Sequence, residues 1–456
     1  MTDVRDLPGP PPFPLLGNLP GLLRGGRPHR ILEDWCDRYG ATYRIVTPAG
    51  PAMVTADPAV VDQILRDRPR LFRRDPQITR IIEEAGVHGV FTAEGDRWRR
   101  ARRIANHSLN PAHLAGYFPA LITGAERLRK LWAGAPAGAG IDVLRDLRRF
   151  TLDVTFALAT GHDLNSLENP RGRLATLLPQ LLPAINRRMS SPVPYWRLVP
   201  LPADRRLTTM LRELDEVLIE RTVAARAHMA TGATPSTVLE SLVATPPDDE
   251  PFTPAELFGN VLTMLLAGED TTASTIAWTL HHLAGSPADQ EKIRAEVSFD
   301  IPRTPRDLRG LAHASAASRE ALRLHPVASL TVVEALGETE INTPGVRVRL
   351  GPGTPIWTLL TYGSRRDSRR FPEPDAFRPQ RWLDEAEPGK GDLRYLPFGA
   401  GPRACPGRSL ALMEATLVVA VIARDFAISA APSRPPRERV AFTVSPSGLR
   451  LKLTPR

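Results

Sequence analysis

Leu396-Pro397-Phe398-Gly399-Ala400-Gly401-Pro402-Arg403-Ala404-Cys405-Pro406-Gly407, followed by an apolar run from 408 to about 426, is the stretch on which the reading of this chain turns. Glycine and proline at that density do not build the interior of a helix or a strand, because glycine is too free and proline lacks an N–H. The segment before Cys405 is therefore a fixed loop that delivers a cysteine to the start of a helix. Unpaired N–H groups and the helix dipole at such a start favour the thiolate, which suits a metal ligand or a nucleophile. Taken alone, the loop leaves one alternative open, a tight turn around an inert buried thiol.

The 456-residue chain carries 59 Lys plus Arg against 50 Asp plus Glu, a net charge of +9. All but four of the basic residues are arginine. They are spread along the chain with no aromatic-basic motif, which argues against a nucleic-acid surface. Two cysteines, Cys36 and Cys405, exclude a disulfide scaffold and suit a reducing interior. Cys36 reads as packing only. Residues 1–22 are proline-rich and hold neither a run approaching the roughly 20 apolar residues of a membrane span nor a signal-peptide core. The expectation is a soluble, cytoplasmic protein without a membrane anchor, folded as a single domain over 1–456.

Four further patterns stand upstream of the loop. Asp96 to Arg103 is a basic helix whose Trp98 and Arg102, four apart, share one face; on its own such a helix is as readily a solvated surface. Thr253-Pro254-Ala255-Glu256 is a capping box opening a helix to about 284, roughly 46 Å long at about 1.5 Å per residue. Its middle, Ala267-Gly268-Glu269-Asp270-Thr271-Thr272, is poor helix-building sequence in an otherwise apolar element and needs another reason. Glu320 and Arg323 stand three apart near the end of a helix, with Arg381 downstream in Phe377-Arg378-Pro379-Gln380-Arg381-Trp382.

These motifs, in this order, resemble the cytochrome P450 family, whose haem iron is held by a cysteine thiolate. The likeness runs from the proline-rich lead-in nearly to the C-terminus. It implies a mainly α fold with a smaller β part and haem b between the long central helix and the Cys-loop helix. Cys405 becomes the axial ligand of the iron, with Phe398, Gly399, Gly401, Arg403, Pro406 and Gly407 forming its loop. Trp98 and Arg102 become donors to a haem propionate, as a neutral N–H and a guanidinium suit a carboxylate. Ala267 and Gly268 leave room for bound O2, while Asp270 and Thr271 serve proton delivery. The competing reading of Thr271, a hydroxyl bonded to the carbonyl four residues back, is compatible with this role. Glu320, Arg323 and Arg381 are structural, fixing the proximal loop.

The family's usual arginine after the Glu-x-x-Arg helix is missing, because Leu330-Thr331-Val332-Val333 stands there. The propionate clamp then rests on Trp98, Arg102 and Arg403, with His325 as a candidate helper. Ile82, Val87, Ala267, Val327, Leu330 and Val444 are the candidate pocket residues. The connection from 76 to 91 reads as a mobile roof. Residues 392–456 read as the Cys-loop, the final helix and a C-terminal hairpin in which 441–444 and 449–453 flank a Ser-Pro-Ser-Gly turn.

The implied activity is monooxygenation of an apolar small molecule with O2 and electrons from a separate ferredoxin or flavodoxin and its reductase, NAD(P)H acting only through them. Arg99, Arg100 and Arg103 are the docking candidates, and a monomer is expected. Two rivals are a peroxide-using relative and a non-catalytic haem sensor or carrier.

Overall fold

A computed structural model of the chain describes residues 2–136, 138–189, 191, 193–244, 250–297, 302–384, 392–432 and 434–456. Contacts divide the chain into two compact units, one comprising Met1–Pro76, Arg319–Cys405 and Glu438–Ser447, the other Gln77–Ser318, Pro406–Arg437 and Gly448–Arg456.

The first unit is built on a five-stranded sheet in the order Thr42–Thr47, Gly50–Thr55, Pro355–Leu359, Leu330–Ala335, Phe72–Arg74. Its first two strands form a hairpin, with Thr42 opposite Thr55 and Thr47 opposite Gly50. Gly50 closes its turn at φ 120°, a conformation that a side chain disfavours. The next helix, Pro58–Arg66, is started by local chemistry: the Asp57 carboxylate accepts from the N–H of Ala59 and of Val60, both at 3.0 Å, and Pro58 occupies the first turn. Its buried face, Val60 and Ile64, packs with Met53, Phe72, Val333 and Ile356. On the other side of the sheet, Leu32 and Cys36 of helix Pro28–Tyr39 pack with Tyr43, Ile45 and Val54.

The second unit is helical and is threaded by the 31-residue helix Pro254–Ala284, most of whose residues are buried. The capping box is formed, since Thr253 Oγ1 accepts from the Glu256 N–H at 3.3 Å and Glu256 accepts from the Thr253 N–H at 2.9 Å. This helix lies against helix Val143–Thr160 at van der Waals distance: a Cβ on Gly268 would come within 2.3 Å of Thr155 Cγ2. Glycine at 268 is thus required by helix–helix packing, a reason the sequence did not disclose.

Two expectations are corrected. The connection from 76 to 91 contains helix Pro76–Glu83, and its glycine segment is pinned. A Cβ on Gly259 of the central helix would meet the His88 backbone at 2.5 Å, and the Val90 N–H donates to Asn260 Oδ1 at 3.0 Å. The C-terminal hairpin does not form as read. Val444–Ser447 pairs with Arg437–Val440, while Leu451–Pro455 pairs antiparallel with Phe426–Ala430, Leu451 facing Ala430. Ser445, Pro446 and Ser447, expected as a turn, are therefore strand, and only Gly448, Leu449 and Arg450 separate strands of two different sheets, each having found its partner upstream. No helix among the described residues is long and apolar enough to cross a membrane.

Candidate active site

In the first unit the cysteine loop is held by its own backbone and by helix Pro58–Arg66. The Cys405 N–H donates to the Phe398 carbonyl at 2.8 Å, closing the loop on itself. Gly399 and Gly401 both sit at φ 68°, and a Cβ on Gly401 would stand 2.4 Å from the Leu65 carbonyl oxygen. Glycine at 401 is therefore fixed by close approach as well as by backbone conformation. Cys405 is exposed, three residues before helix Arg408–Asp425 begins. Cys36 is the opposite case, buried, with desolvation pushing its thiol up to about 12. Of the two sulfurs, only that of Cys405 is accessible to a ligand.

The same unit holds a buried network. The Glu320 carboxylate accepts from Arg323 Nε at 2.9 Å and Nη2 at 2.8 Å, from Arg381 Nε at 3.0 Å, from Trp382 Nε1 at 2.8 Å and from the Arg378 N–H at 3.0 Å. Arg323 in turn donates to the carbonyls of Ser364, Pro374 and Ala376. Both Glu320 and Arg323 are fully buried. A buried ion pair is favourable only when its remaining donors and acceptors are satisfied, and here they are supplied largely by one irregular segment. Trp382 and the backbone acceptors were not legible beforehand.

His325 stands beside Glu438. Its Nδ1 lies 2.9 Å from Glu438 Oε1, and Glu438 also accepts from Arg30 Nε at 2.9 Å with His29 Nε2 at 3.3 Å. Burial alone would raise the Glu438 carboxyl, but these donors hold it far below the usual carboxylate range. Val327 and Val444 are both buried and tied together by a 3.0 Å backbone hydrogen bond, and Leu330 is half-buried in the strand that follows.

In the second unit, Trp98 and Arg102 share one face of helix Gly95–Ser108, with Trp98 buried and Arg102 half-buried. On the central helix, Ala267 is exposed and Thr271, one turn on, is partly so. Thr271 Oγ1 donates to the Ala267 carbonyl at 2.7 Å, the local bond the sequence left open. Asp270 points to helix Val143–Thr160 instead, where Arg148 donates to its Oδ1 from Nε at 2.7 Å and sits with Nη2 2.6 Å away. Glu269, beside it, is buried, and that burial pushes its carboxyl up to about 8, with Asp270 adding to the rise and Arg148 opposing it. Neither Arg148 nor the state of Glu269 was foreseen. Ile82 and Val87 are buried in the same unit. The arginines expected to dock a partner are partly neutralised: Asp96 holds Arg99, while Arg100 reaches Glu256 at 3.3 Å and lies 4.2 Å above the Phe252 ring.

These residues fit a haem. An accessible thiol supplies one soft ligand to iron, and Trp98, Arg102 and Arg403 are donor-only side chains, as the propionates require. Among the described residues no cluster of three His, Cys, Asp or Glu offers an alternative metal centre.

The comparisons agree. The Cytochrome P450 family model matches residues 7–453. Among relatives, cyclooctatin synthase of Streptomyces melanosporofaciens is 28% identical, covering 99% of this chain and 96% of its own length. The human mitochondrial 25-hydroxyvitamin D-1 alpha hydroxylase is 29% identical over 95% of this chain and 89% of its own. A self-sufficient cytochrome P450 monooxygenase of Penicillium freii is 28% identical over the whole of this chain, which spans 43% of that longer protein.

Proposed function

The chain belongs to the cytochrome P450 family and is a cytochrome P450 monooxygenase, and on that premise we propose that it oxygenates an apolar small molecule using electrons from a separate acidic redox protein. The observation that carries this reading is the exposed Cys405 at the end of a self-closed loop, with Ala267 and Thr271 presented on a mostly buried helix. The name of the human relative, a 25-hydroxyvitamin D-1 alpha hydroxylase, favours an apolar substrate.

Haem, when bound, supplies O2 activation and transfer of one oxygen atom to the substrate. Cys405 would hold its iron, and Trp98, Arg102 and Arg403 its propionates. Thr271 holds a hydroxyl hydrogen that is spent on the Ala267 carbonyl at rest, so presenting it to a ligand needs only rotation about one side-chain bond. Asp270, ion-paired to Arg148, rests as an acceptor. It delivers a proton only after taking one at the expense of that pair, and Arg148, whose side chain is 35% exposed, connects the pair to solvent. The acid–alcohol pair favours O2 with electrons over peroxide as the oxidant.

The net charge of +9 favours an acidic ferredoxin or flavodoxin, although Asp96 and Glu256 weaken the patch on helix Gly95–Ser108. The test is turnover of a library of terpenoids, steroids and fatty acids with ferredoxin, its reductase, NADPH and isotopically labelled O2. Label in the product, with a rate that falls as salt rises, is expected. Equal product from hydrogen peroxide alone, or no product with NADPH consumption absent throughout, contradicts the reading.

A further inference from the structure

Helices Arg173–Met189 and Pro202–Ala230 of the second unit enclose between them an open groove of about 500 Å³, within the size range of small-molecule sites. Its lining is unlike the rest of the arginine-rich surface. One end is closed by Arg173, which donates to Glu213 at 3.0 Å and to Glu216 at 3.2 Å. That arginine and the groove's own carboxylate, Glu213, cancel one another. The other end carries Arg205 and Arg206, both exposed, for which no carboxylate partner occurs among the described residues.

The sequence supplies an acid beside them, Asp204, but it is turned inward: its Oδ1 accepts from Arg188 Nε at 3.0 Å and its Oδ2 from the Leu201 N–H at 3.1 Å, and it is buried. Two adjacent guanidiniums therefore stand in the first two turns of a 29-residue helix, where the helix dipole adds to their positive potential. Between the charged ends the groove is apolar, with Leu177 buried in its floor and Met210 half-buried on the facing helix. The hydroxyls of Thr176 and Thr209 are turned back onto carbonyls of their own helices, so they do not hydrate this middle section. Gln180 also lines the groove, its Nε2 donating to the Thr176 carbonyl at 2.6 Å.

We infer that this groove binds an amphipathic organic anion, with a carboxylate or phosphate monoester on Arg205 and Arg206 and an apolar body along Leu177 and Met210. Guanidiniums make paired, charge-assisted hydrogen bonds to such heads, and an apolar body removes the exposed side of Met210 from water. The anion has two possible sources, a free amphiphile or the headgroup of an anionic lipid surface. This site lies on the outer helices and does not depend on the haem reading.

The holoprotein, with its iron first saturated with phenylimidazole so that the probe cannot enter a haem-side pocket, is titrated with the fluorescent fatty acid dansyl-undecanoate. One saturable site is expected. R205E/R206E weakens it at least tenfold, Leu177→Asp weakens it without altering surface charge at the arginines, and Arg226→Glu, on the same helix outside the groove, leaves it unchanged. Sedimentation with phosphatidylglycerol but not phosphatidylcholine vesicles, lost in R205E/R206E, assigns the anion to a lipid surface; probe binding without sedimentation assigns it to a free amphiphile. Wild-type affinity in R205E/R206E overturns the site. So does equal weakening by Arg226→Glu, which would mean diffuse surface charge.

Discussion

Replacing Glu269 by glutamine should stabilise the protein, and by an amount that depends on pH. The carboxyl is buried in the central helix with the Asp270 carboxylate beside it, and is held neutral until about pH 8 against an ordinary value of 4.5. A group raised in this way contributes stability that is complete below pH 4.5 and is lost as pH climbs through the folded-state value. Each pH unit in that window costs about 1.4 kcal/mol. Between 4.5 and 7 the loss comes to about 3 kcal/mol, a substantial part of the 5–15 kcal/mol that holds a typical domain together. Glutamine keeps the shape and a polar head but cannot ionise, so Glu269→Gln removes the window. Urea unfolding of the holoprotein, followed by tryptophan fluorescence at pH 5, 7 and 8, should show the variant within about 1 kcal/mol of wild type at pH 5, ahead by about 3 kcal/mol at pH 7 and by about 4 kcal/mol at pH 8. A difference that stays flat across this range would mean that Glu269 is ionised in the folded protein, and the placement argued for it would be wrong.

Gly268→Ala puts a methyl group against Thr155 and should cost about 1–3 kcal/mol by overpacking, with Thr155→Ser added to it recovering part of the loss in thermal unfolding. Arg148→Ala strands the Asp270 charge in a buried position and should lower stability by about 2 kcal/mol, less than for a fully buried pair because Arg148 is partly exposed; R148A/D270N should restore most of it, and an unaltered R148A would deny the pair any weight. Thr271→Ala keeps the thiolate spectrum and NADPH consumption but should raise the share of electrons ending as hydrogen peroxide severalfold, measured as product per NADPH; unchanged coupling would assign proton delivery to other groups.

What the sequence made legible was local. The glycine–proline loop and the Thr253-x-x-Glu256 helix start are written within a dozen residues each, and the structure has them where their backbone and capping chemistry puts them. The Glu320–Arg323–Arg381 contact was reached through the family's motif order, since three-residue spacing on a helix says little alone. What could not be read depends on partners far apart in the chain. Arg148 stands 122 residues from Asp270, and Arg30 stands 408 from Glu438. In both cases a surface-like charge is drawn into the fold by a partner that no periodicity marks. The C-terminal strands failed for two reasons: Val444–Ser447 pairs with its neighbour on the N-terminal side, Arg437–Val440, across a connection as short as the one expected on its other side, and Leu451–Pro455 reaches back to Phe426–Ala430.

The reading of Cys405 as the haem ligand is tested most directly by the spectrum of the reduced holoprotein under carbon monoxide. A strongly red-shifted Soret band in the wild type, abolished in Cys405→His while haem is retained, is the result expected of thiolate ligation. An unshifted band in the wild type, or a red-shifted band that survives removal of the Cys405 sulfur, would contradict it.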